Sequence, residues 1–286
     1  MSATSTSPGQ GLSLRGIGAR FGGLVALDDV SVDVEPGRIV GIIGPNGAGK
    51  TTLFNVVCGF VRPTSGNMTW RGRPLRPRPH RLTSVGIGRT LQAVGLFAGL
   101  TVLENVMAGA THRSKIGFGS ALFAMPRSDR DERRIEADAM ALLERFEIAP
   151  YATMLPTPLP FAVQKRVALA RVLIAEPALL LLDEPAAGLA AEEIDDLASV
   201  ITDLPGREDS PCAVMLVEHH MDLVMRVCDE NVVLDFGKVI ARGDPEEIRG
   251  SAAVTTAYLG TTAGEYDPAG PVAVEDFGTG TGEAAQ

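Results

Sequence analysis

Hydrophobic positions follow different rhythms in different parts of this chain. Between Leu12 and Val34 they tend to alternate with polar ones, as in Val30-Ser31-Val32-Asp33-Val34. That predicts a half-buried antiparallel hairpin, punctuated by Phe21-Gly22-Gly23. Three short apolar runs, Arg38–Ile43, Ala178–Leu182 and Ala213–Val217, have the length and composition of strands buried on both faces of a parallel sheet. Asn67–Trp70 reads as a further strand, and Asn231–Arg242 as two short strands meeting at Asp235-Phe236-Gly237. Helices are expected at Thr51–Cys58, which Gly59 stops, and at Gln164–Ile174, Glu192–Leu204 and Pro245–Leu259. Between residues 110 and 160 the rhythm changes. Ile135, Ala139, Leu142, Leu143 and Phe146 recur at helical spacing in an otherwise charged segment, which Ser128 and Asp131 open as a capping box. Repeated strand–helix alternation with a mostly helical insert predicts an α/β fold: a mainly parallel sheet core, an antiparallel β subdomain and an inserted helical subdomain. No internal repeat is present, so one domain is expected and not a tandem pair.

Composition narrows this little. At 286 residues, 45% hydrophobic and 21% charged, the chain is an ordinary globular protein with room for a sizeable core. No run approaches the ~20 apolar residues of a membrane helix, and the N-terminus has neither the basic start nor the apolar core of a signal peptide. Three widely spaced cysteines, Cys58, Cys212 and Cys228, form no metal spacing, leave an odd thiol and suit a reducing cytosol. A net charge of −9 argues against a general nucleic-acid binder. Arg71–Arg81 places five arginines among three prolines. It reads as a solvated loop, with an anionic-lipid or nucleic-acid contact as the alternative, because prolines prevent a regular binding element. Residues 1–10 are rich in Ser, Thr, Gly and Pro, and 261–286 hold five acidic and no basic residues; both are expected to be disordered.

The chemistry concentrates in Gly44-Pro45-Asn46-Gly47-Ala48-Gly49-Lys50-Thr51-Thr52, which fits the phosphate-cradling pattern G-x-x-x-x-G-K-[ST]. It lies between a predicted strand and a predicted helix, the context in which backbone N–H groups and a helix N-terminus converge on phosphate oxygens. Lys50 would reach the terminal phosphates and the Thr51 hydroxyl a magnesium ion. The chain is therefore expected to bind a nucleoside triphosphate. Downstream, Leu179–Leu182 leads into Asp183-Glu184-Pro185, placing two carboxylates at the C-terminal edge of a parallel sheet, where open α/β sheets bind ligands. Asp183 can hold Mg²⁺ and Glu184 can deprotonate an attacking water, a contribution typically of about 10²–10⁴-fold.

Gly44–Thr52, Gln92 in Gly88-Arg89-Thr90-Leu91-Gln92, Leu182-Asp183-Glu184-Pro185 and Val217-Glu218-His219 appear in the order found in ABC-transporter ATPases, a P-loop NTPase family that the chain resembles from about Leu12 to Gly260. The resemblance implies one ATP-binding domain over residues 11–260 with a helical subdomain at about 94–176, and ATP with Mg²⁺ as ligands. It implies that Gln92 coordinates the metal and senses the membrane subunit, and that His219, rather than the adjacent His220, contacts the γ-phosphate. It also implies that Phe21 stacks on adenine, with a hairpin-core role as the competing reading. Arg20-Phe21-Gly22-Gly23, Leu96-Phe97, Leu100–Asn105, Asp183–Leu189 and Ala257-Tyr258-Leu259-Gly260 look like branched-chain amino acid importers, and the helical insert around 112–135 is similar to the longer of their two ATPase subunits.

One stretch departs from that pattern. Where the family signature reads Leu-Ser-Gly-Gly-Gln, this chain has Leu159, Pro160, Phe161, Ala162 and Val163, followed by Gln164-Lys165-Arg166. Pro160 has neither hydroxyl nor N–H, and Ala162 adds a Cβ to a tight approach. Losing one charge-assisted hydrogen bond to the γ-phosphate costs on the order of 1.5–3 kcal/mol, roughly 10–150-fold. Ala190 likewise stands where the family has Asp or Asn. These positions serve the ATP bound on the opposite subunit, so the departure favours a heterodimeric pair over a homodimer.

The expected protein is thus the ATP-hydrolysing subunit of an importer for branched-chain (hydrophobic) amino acids. It would sit peripherally on the cytoplasmic face of the plasma membrane with two permease subunits, a second ATPase subunit and, indirectly, a solute-binding protein, and without nucleic acid. A soluble non-transport ATPase and a weakly hydrolysing regulatory subunit are the alternatives.

Overall fold

The structure, a computed structural model, describes residues 10–90, 94–110, 126–206 and 211–261. The expectations for residues 1–9, for Gln92 and for most of the tail fall outside the described residues, as does much of the 112–135 insert.

Strands β1 (Leu12–Phe21) and β2 (Leu24–Val34) form the predicted hairpin, with partners running from Leu12↔Val34 to Phe21↔Leu24. Strand β3 (Ile39–Ile43) then leads into helix α1 (Lys50–Cys58). Strand β4 (Ser65–Trp70) pairs with the far side of β1, and the two-residue β5 (Arg73–Pro74) pairs with β4, giving a four-stranded antiparallel sheet of order β2-β1-β4-β5. The second sheet joins β3 to β6 (Ile87–Arg89), β7 (Leu179–Asp183), β8 (Ala213–Val217), β9 (Glu230–Asp235) and β10 (Lys238–Gly243) in the order β10-β9-β3-β8-β7-β6. All pairs in it are parallel except β9–β10.

Helices α2 (Val102–Ala108), α3 (Pro126–Arg145) and α4 (Phe161–Leu173) come between β6 and β7. Helices α5 (Ala191–Thr202) and α6 (Met221–Val227) follow β7 and β8, and α7 (Pro245–Gly250) and α8 (Ala252–Thr261) close the described chain.

The unbroken apolar runs are explained by a sheet covered on both faces. Val40, Ile42, Leu179, Leu181, Met215 and Val217 enter one core with α1 and the hairpin. Their neighbours Ile39, Ile43, Leu180, Leu182, Val214 and Leu216 enter another with α2–α6. Successive side chains on a strand point to opposite faces, so a strand buried on both sides needs no polar alternation.

Several expectations need correction. Ser128, read as opening a capping box, lies within α3, whose described residues run from Pro126. α4 begins at Phe161, not Gln164. The single helix expected over Pro245–Leu259 breaks at Ser251, whose backbone is extended (φ −79°, ψ 116°). Within Arg71–Arg81, Arg73–Pro74 pairs with β4 and Pro79–Arg81 forms a 3₁₀ turn, although the arginines themselves are exposed. β6 was not foreseen because three residues, Ile87-Gly88-Arg89, are too few to display a period.

α2 has a clear local origin. The Thr101 hydroxyl accepts from Glu104 N–H at 3.2 Å and the Glu104 carboxylate accepts from Thr101 N–H at 2.7 Å, a capping box. Buried Asn105 then closes the preceding loop. Its Nδ2 donates to the carbonyls of Phe97, Leu100 and Thr101, and its Oδ1 accepts from Phe97 N–H at 2.8 Å. Asn105 thereby ties the start of α2 to the Phe97–Thr101 loop, while the N–H groups of Val102 and Leu103 donate to the carbonyls of Met154 and Ala152, both at 2.9 Å.

Candidate active site

Register alone brings the chemistry together. Val217 of β8 is paired with Ile42 of β3 on one side and with Asp183 of β7 on the other. The glycine loop after β3, the carboxylates ending β7 and the histidines after β8 therefore leave the sheet at one edge, the C-terminal edge where such sheets bind ligands.

The loop turns from β3 into α1 through Gly44, Gly47 and Gly49, all with positive φ. At Gly44 (φ 144°) a Cβ would stand 2.0 Å from the Leu234 carbonyl oxygen, so only glycine fits. α1 carries no side-chain cap, leaving its first N–H groups for a ligand. Lys50 is buried, and its Nζ donates to the carbonyls of Gly44 at 2.6 Å and Pro45 at 3.0 Å. Burial lowers its pKa, while the Glu184 charge opposes that shift.

Asp183 is the last residue of β7 and is buried. Burial first, and the adjacent Glu184 charge second, push its pKa up, with Arg89 opposing. Glu184 adopts a left-handed backbone (φ 46°), costly for a residue with a Cβ, and its N–H donates to the Val217 carbonyl at 2.8 Å. Hard carboxylate and hydroxyl oxygens, such as those of Asp183, Glu184 and Thr51, are of the donor type that suits Mg²⁺. Thr51 begins α1 next to Lys50 and is exposed at the loop.

His219 has a half-exposed side chain, and its ring lies 4.5 Å from that of His220, centroid to centroid. Between them and the sheet is a residue the sequence reading had passed over. Glu218 is fully buried, and its carboxylate accepts from three backbone N–H groups: Ala186 at 2.6 Å, His219 at 2.9 Å and His220 at 3.2 Å. The ligand atoms of Glu218, His219 and His220 lie within 4.8 Å of one another, but with the carboxylate committed to N–H donors the trio reads as a hydrogen-bonded turn and not a metal centre. The signal was available in the sequence, as an acidic residue directly following a fully apolar strand.

Phe21 ends β1 half-exposed. That removes the hairpin-core alternative. In the altered signature, Leu159 is buried, Pro160 occupies the N-cap of α4, and Phe161, Ala162, Val163 and Gln164 form its first turn. Gln164 folds back, its Nε2 donating to the Leu159 carbonyl at 2.8 Å. Ala190 caps α5 without a side-chain acceptor, and Glu193 compensates by accepting the Ala190 N–H at 2.8 Å.

A glycine cradle with a buried lysine, a buried Asp183 followed by the part-exposed Glu184, and a histidine turn on one sheet edge define a P-loop ATPase cassette. The chain belongs to the ABC-transporter ATP-binding family, whose model, "ABC transporter", matches residues 27–187. These are ATPases that couple ATP hydrolysis to transport. Residues 238–264 match a second model, "Branched-chain amino acid ATP-binding cassette transporter".

Among curated relatives, LivG of Salmonella typhimurium and BraF of Pseudomonas aeruginosa, both described as high-affinity branched-chain amino acid transport ATP-binding proteins, are each 39% identical over 87% of this chain and 97% of their own. LptB of Haemophilus influenzae, a lipopolysaccharide export system ATP-binding protein, is 35% identical over 82% of this chain and 90% of its own. An ATP-binding cassette of an ABC transporter solved in its ADP conformation superposes with a TM-score of 0.72 at 28% identity, covering 87% of this chain and 98% of that one.

Proposed function

We propose that this chain hydrolyses ATP to drive an importer of branched-chain, hydrophobic amino acids. The observation that carries the substrate class is the match over residues 238–264, reinforced by LivG and BraF; both extend the likeness beyond the nucleotide site.

In this reading ATP lies over the 44–52 loop with adenine against Phe21. Lys50 and the N–H groups opening α1 neutralise phosphate charge. Thr51 and Asp183 would hold Mg²⁺, which when bound supplies further positive charge to the β- and γ-phosphates. Glu184 takes the proton of the attacking water, and His219 holds the γ-phosphate. Gln92 belongs to the same proposal as a metal and sensor residue.

No helix among the described residues is long and apolar enough to cross a membrane; in this reading the membrane path belongs to separate permease subunits. We place their docking surface along Leu96–Glu104, and the chain peripherally on the cytoplasmic face. A second ATPase subunit completes the pair. Pro160 at the N-cap of α4 offers no side-chain hydroxyl to a partner's ATP, which favours a heterodimer in which the partner supplies the working signature.

The test is ATPase activity of the full chain alone and mixed with its shorter ATPase partner, each with and without Glu184→Gln. Low activity alone and strong Glu184-dependent activity in the mixture is the expected result. Strong turnover alone would show that 159–164 works as a signature as it stands, and independence from Glu184 would remove that residue as the base.

A further inference from the structure

The turn carrying Glu184 is held from two sides by side chains that the ATP site itself does not use. From α4, Lys165 Nζ donates to the carbonyls of Pro185 at 2.7 Å and Ala187 at 2.5 Å. From the end of β8, the Glu218 carboxylate takes the intervening N–H, that of Ala186, at 2.6 Å, while its other oxygen takes the N–H groups of His219 and His220. Three consecutive residues after Glu184 thus present carbonyl, N–H and carbonyl to a cation and an anion on opposite elements. Glu184 itself sits at φ 46°, a conformation that persists only when its surroundings over-determine it.

We propose that Lys165, working with Glu218, is a positioning residue for hydrolysis: it fixes the 185–187 turn so that the Glu184 carboxylate and the His219 backbone are held at one geometry. Resting on the reading of Glu184 as base, the proposal adds a link between a helix of the inserted subdomain and the water-activating residue.

The geometry explains why a lysine suits this place. A single ammonium donates to both carbonyls, and the same Nζ lies over the Phe161 ring, 5.2 Å from its centroid. Burial lowers the Lys165 pKa, and the charges of Glu218 and Glu184 oppose that shift. Methionine would match its length and lose both hydrogen bonds; arginine would keep a donor.

Steady-state kinetics and ATP binding on the full chain, in whichever assembly hydrolyses ATP, decide it, using Lys165→Met, Lys165→Arg, Glu218→Gln and Glu184→Gln. Displacing a catalytic group by about 1 Å can cost roughly 100-fold. Lys165→Met should therefore lower kcat by about 10- to 100-fold. Its ATP affinity and melting temperature should stay near those of the parent, Lys165→Arg should recover much of the rate, and Glu218→Gln should follow Lys165→Met. Parent-like kcat in Lys165→Met would overturn the proposal. So would equal losses of kcat and ATP affinity that Lys165→Arg fails to recover. Should Lys165→Met not fold, the same split read in Glu218→Gln decides. Glu184→Gln run alongside separates the two ideas: if it keeps turnover, the base assignment fails. If it is inactive while Lys165→Met is normal, only the clamp fails.

Discussion

Lys50 turns its ammonium back onto its own loop, bonding the carbonyls of Gly44 and Pro45 at 2.6 and 3.0 Å. A bound phosphate would compete with those carbonyls for the ammonium. Lys50→Met should weaken ATP binding by about 10- to 150-fold, the loss of a hydrogen bond between charged groups, as read by titration calorimetry. Affinity should also fall on the alkaline side. Burial lowers the Lys50 pKa below the ordinary lysine value, whereas bound phosphates favour the protonated form. Binding must therefore take up a proton once the pH passes the lowered value. An ATP affinity flat up to the ordinary lysine range would contradict this.

Glu184 offers a case in which activity and stability should part. At φ 46° it occupies backbone space that glycine enters freely. Glu184→Gln and Glu184→Gly should both lose turnover by about 100-fold or more. The glycine variant should be more stable than the glutamine variant by about 1 kcal/mol, from relieved strain. Paired thermal melts check the difference; a glycine variant melting at or below the glutamine one would show that the surroundings, and not the residue, set the conformation.

Two glycines of the same loop should respond unequally to one methyl group. In Gly44→Ala the new Cβ meets a carbonyl oxygen at 2.0 Å, whereas around Gly47 (φ 81°) nothing lies within 4 Å. Gly47→Ala should cost about 1 kcal/mol through φ alone. Gly44→Ala should cost about 3 kcal/mol, because backbone must also move. Chemical denaturation without nucleotide measures both, and equal effects would count against the close approach to Leu234.

The cysteines should be silent in the folded chain. All three are buried, and burial pushes the Cys58 thiol up to about 12. A thiol-specific chromophore at pH 8 should therefore react only after unfolding. The folded state binds the Cys58 proton more tightly than the unfolded one. This group therefore leaves stability unchanged below the ordinary thiol value and lowers it as the pH climbs from there towards about 12.

Arg171, near the end of α4, donates to the carbonyls of Gly95 at 2.8 Å and Val94 at 3.4 Å and lies over the Phe97 ring at 5.6 Å. If Leu96–Glu104 receives the permease, Arg171→Met should leave basal ATP hydrolysis within about two-fold and reduce its stimulation by permease roughly ten-fold, of the order of one charged hydrogen bond. Unchanged stimulation in reconstituted membranes would move the docking surface elsewhere.

Local chemistry explains what the sequence determined alone. The β1–β2 alternation, the buried runs at β3, β7 and β8, and the loop from Gly44 to Thr52 are each written in consecutive residues, because period and turn chemistry are local properties. Only tertiary structure decided the rest. Nothing near Lys165 in the chain announces Pro185 and Ala187, twenty and more residues away, and nothing near Glu218 announces Ala186, 32 residues away. Those partners meet because β7 and β8 lie side by side in register while α4 packs on the same sheet. A long-range hydrogen bond between a side chain and a backbone group leaves no period or spacing in the sequence, since the backbone it meets is common to every residue.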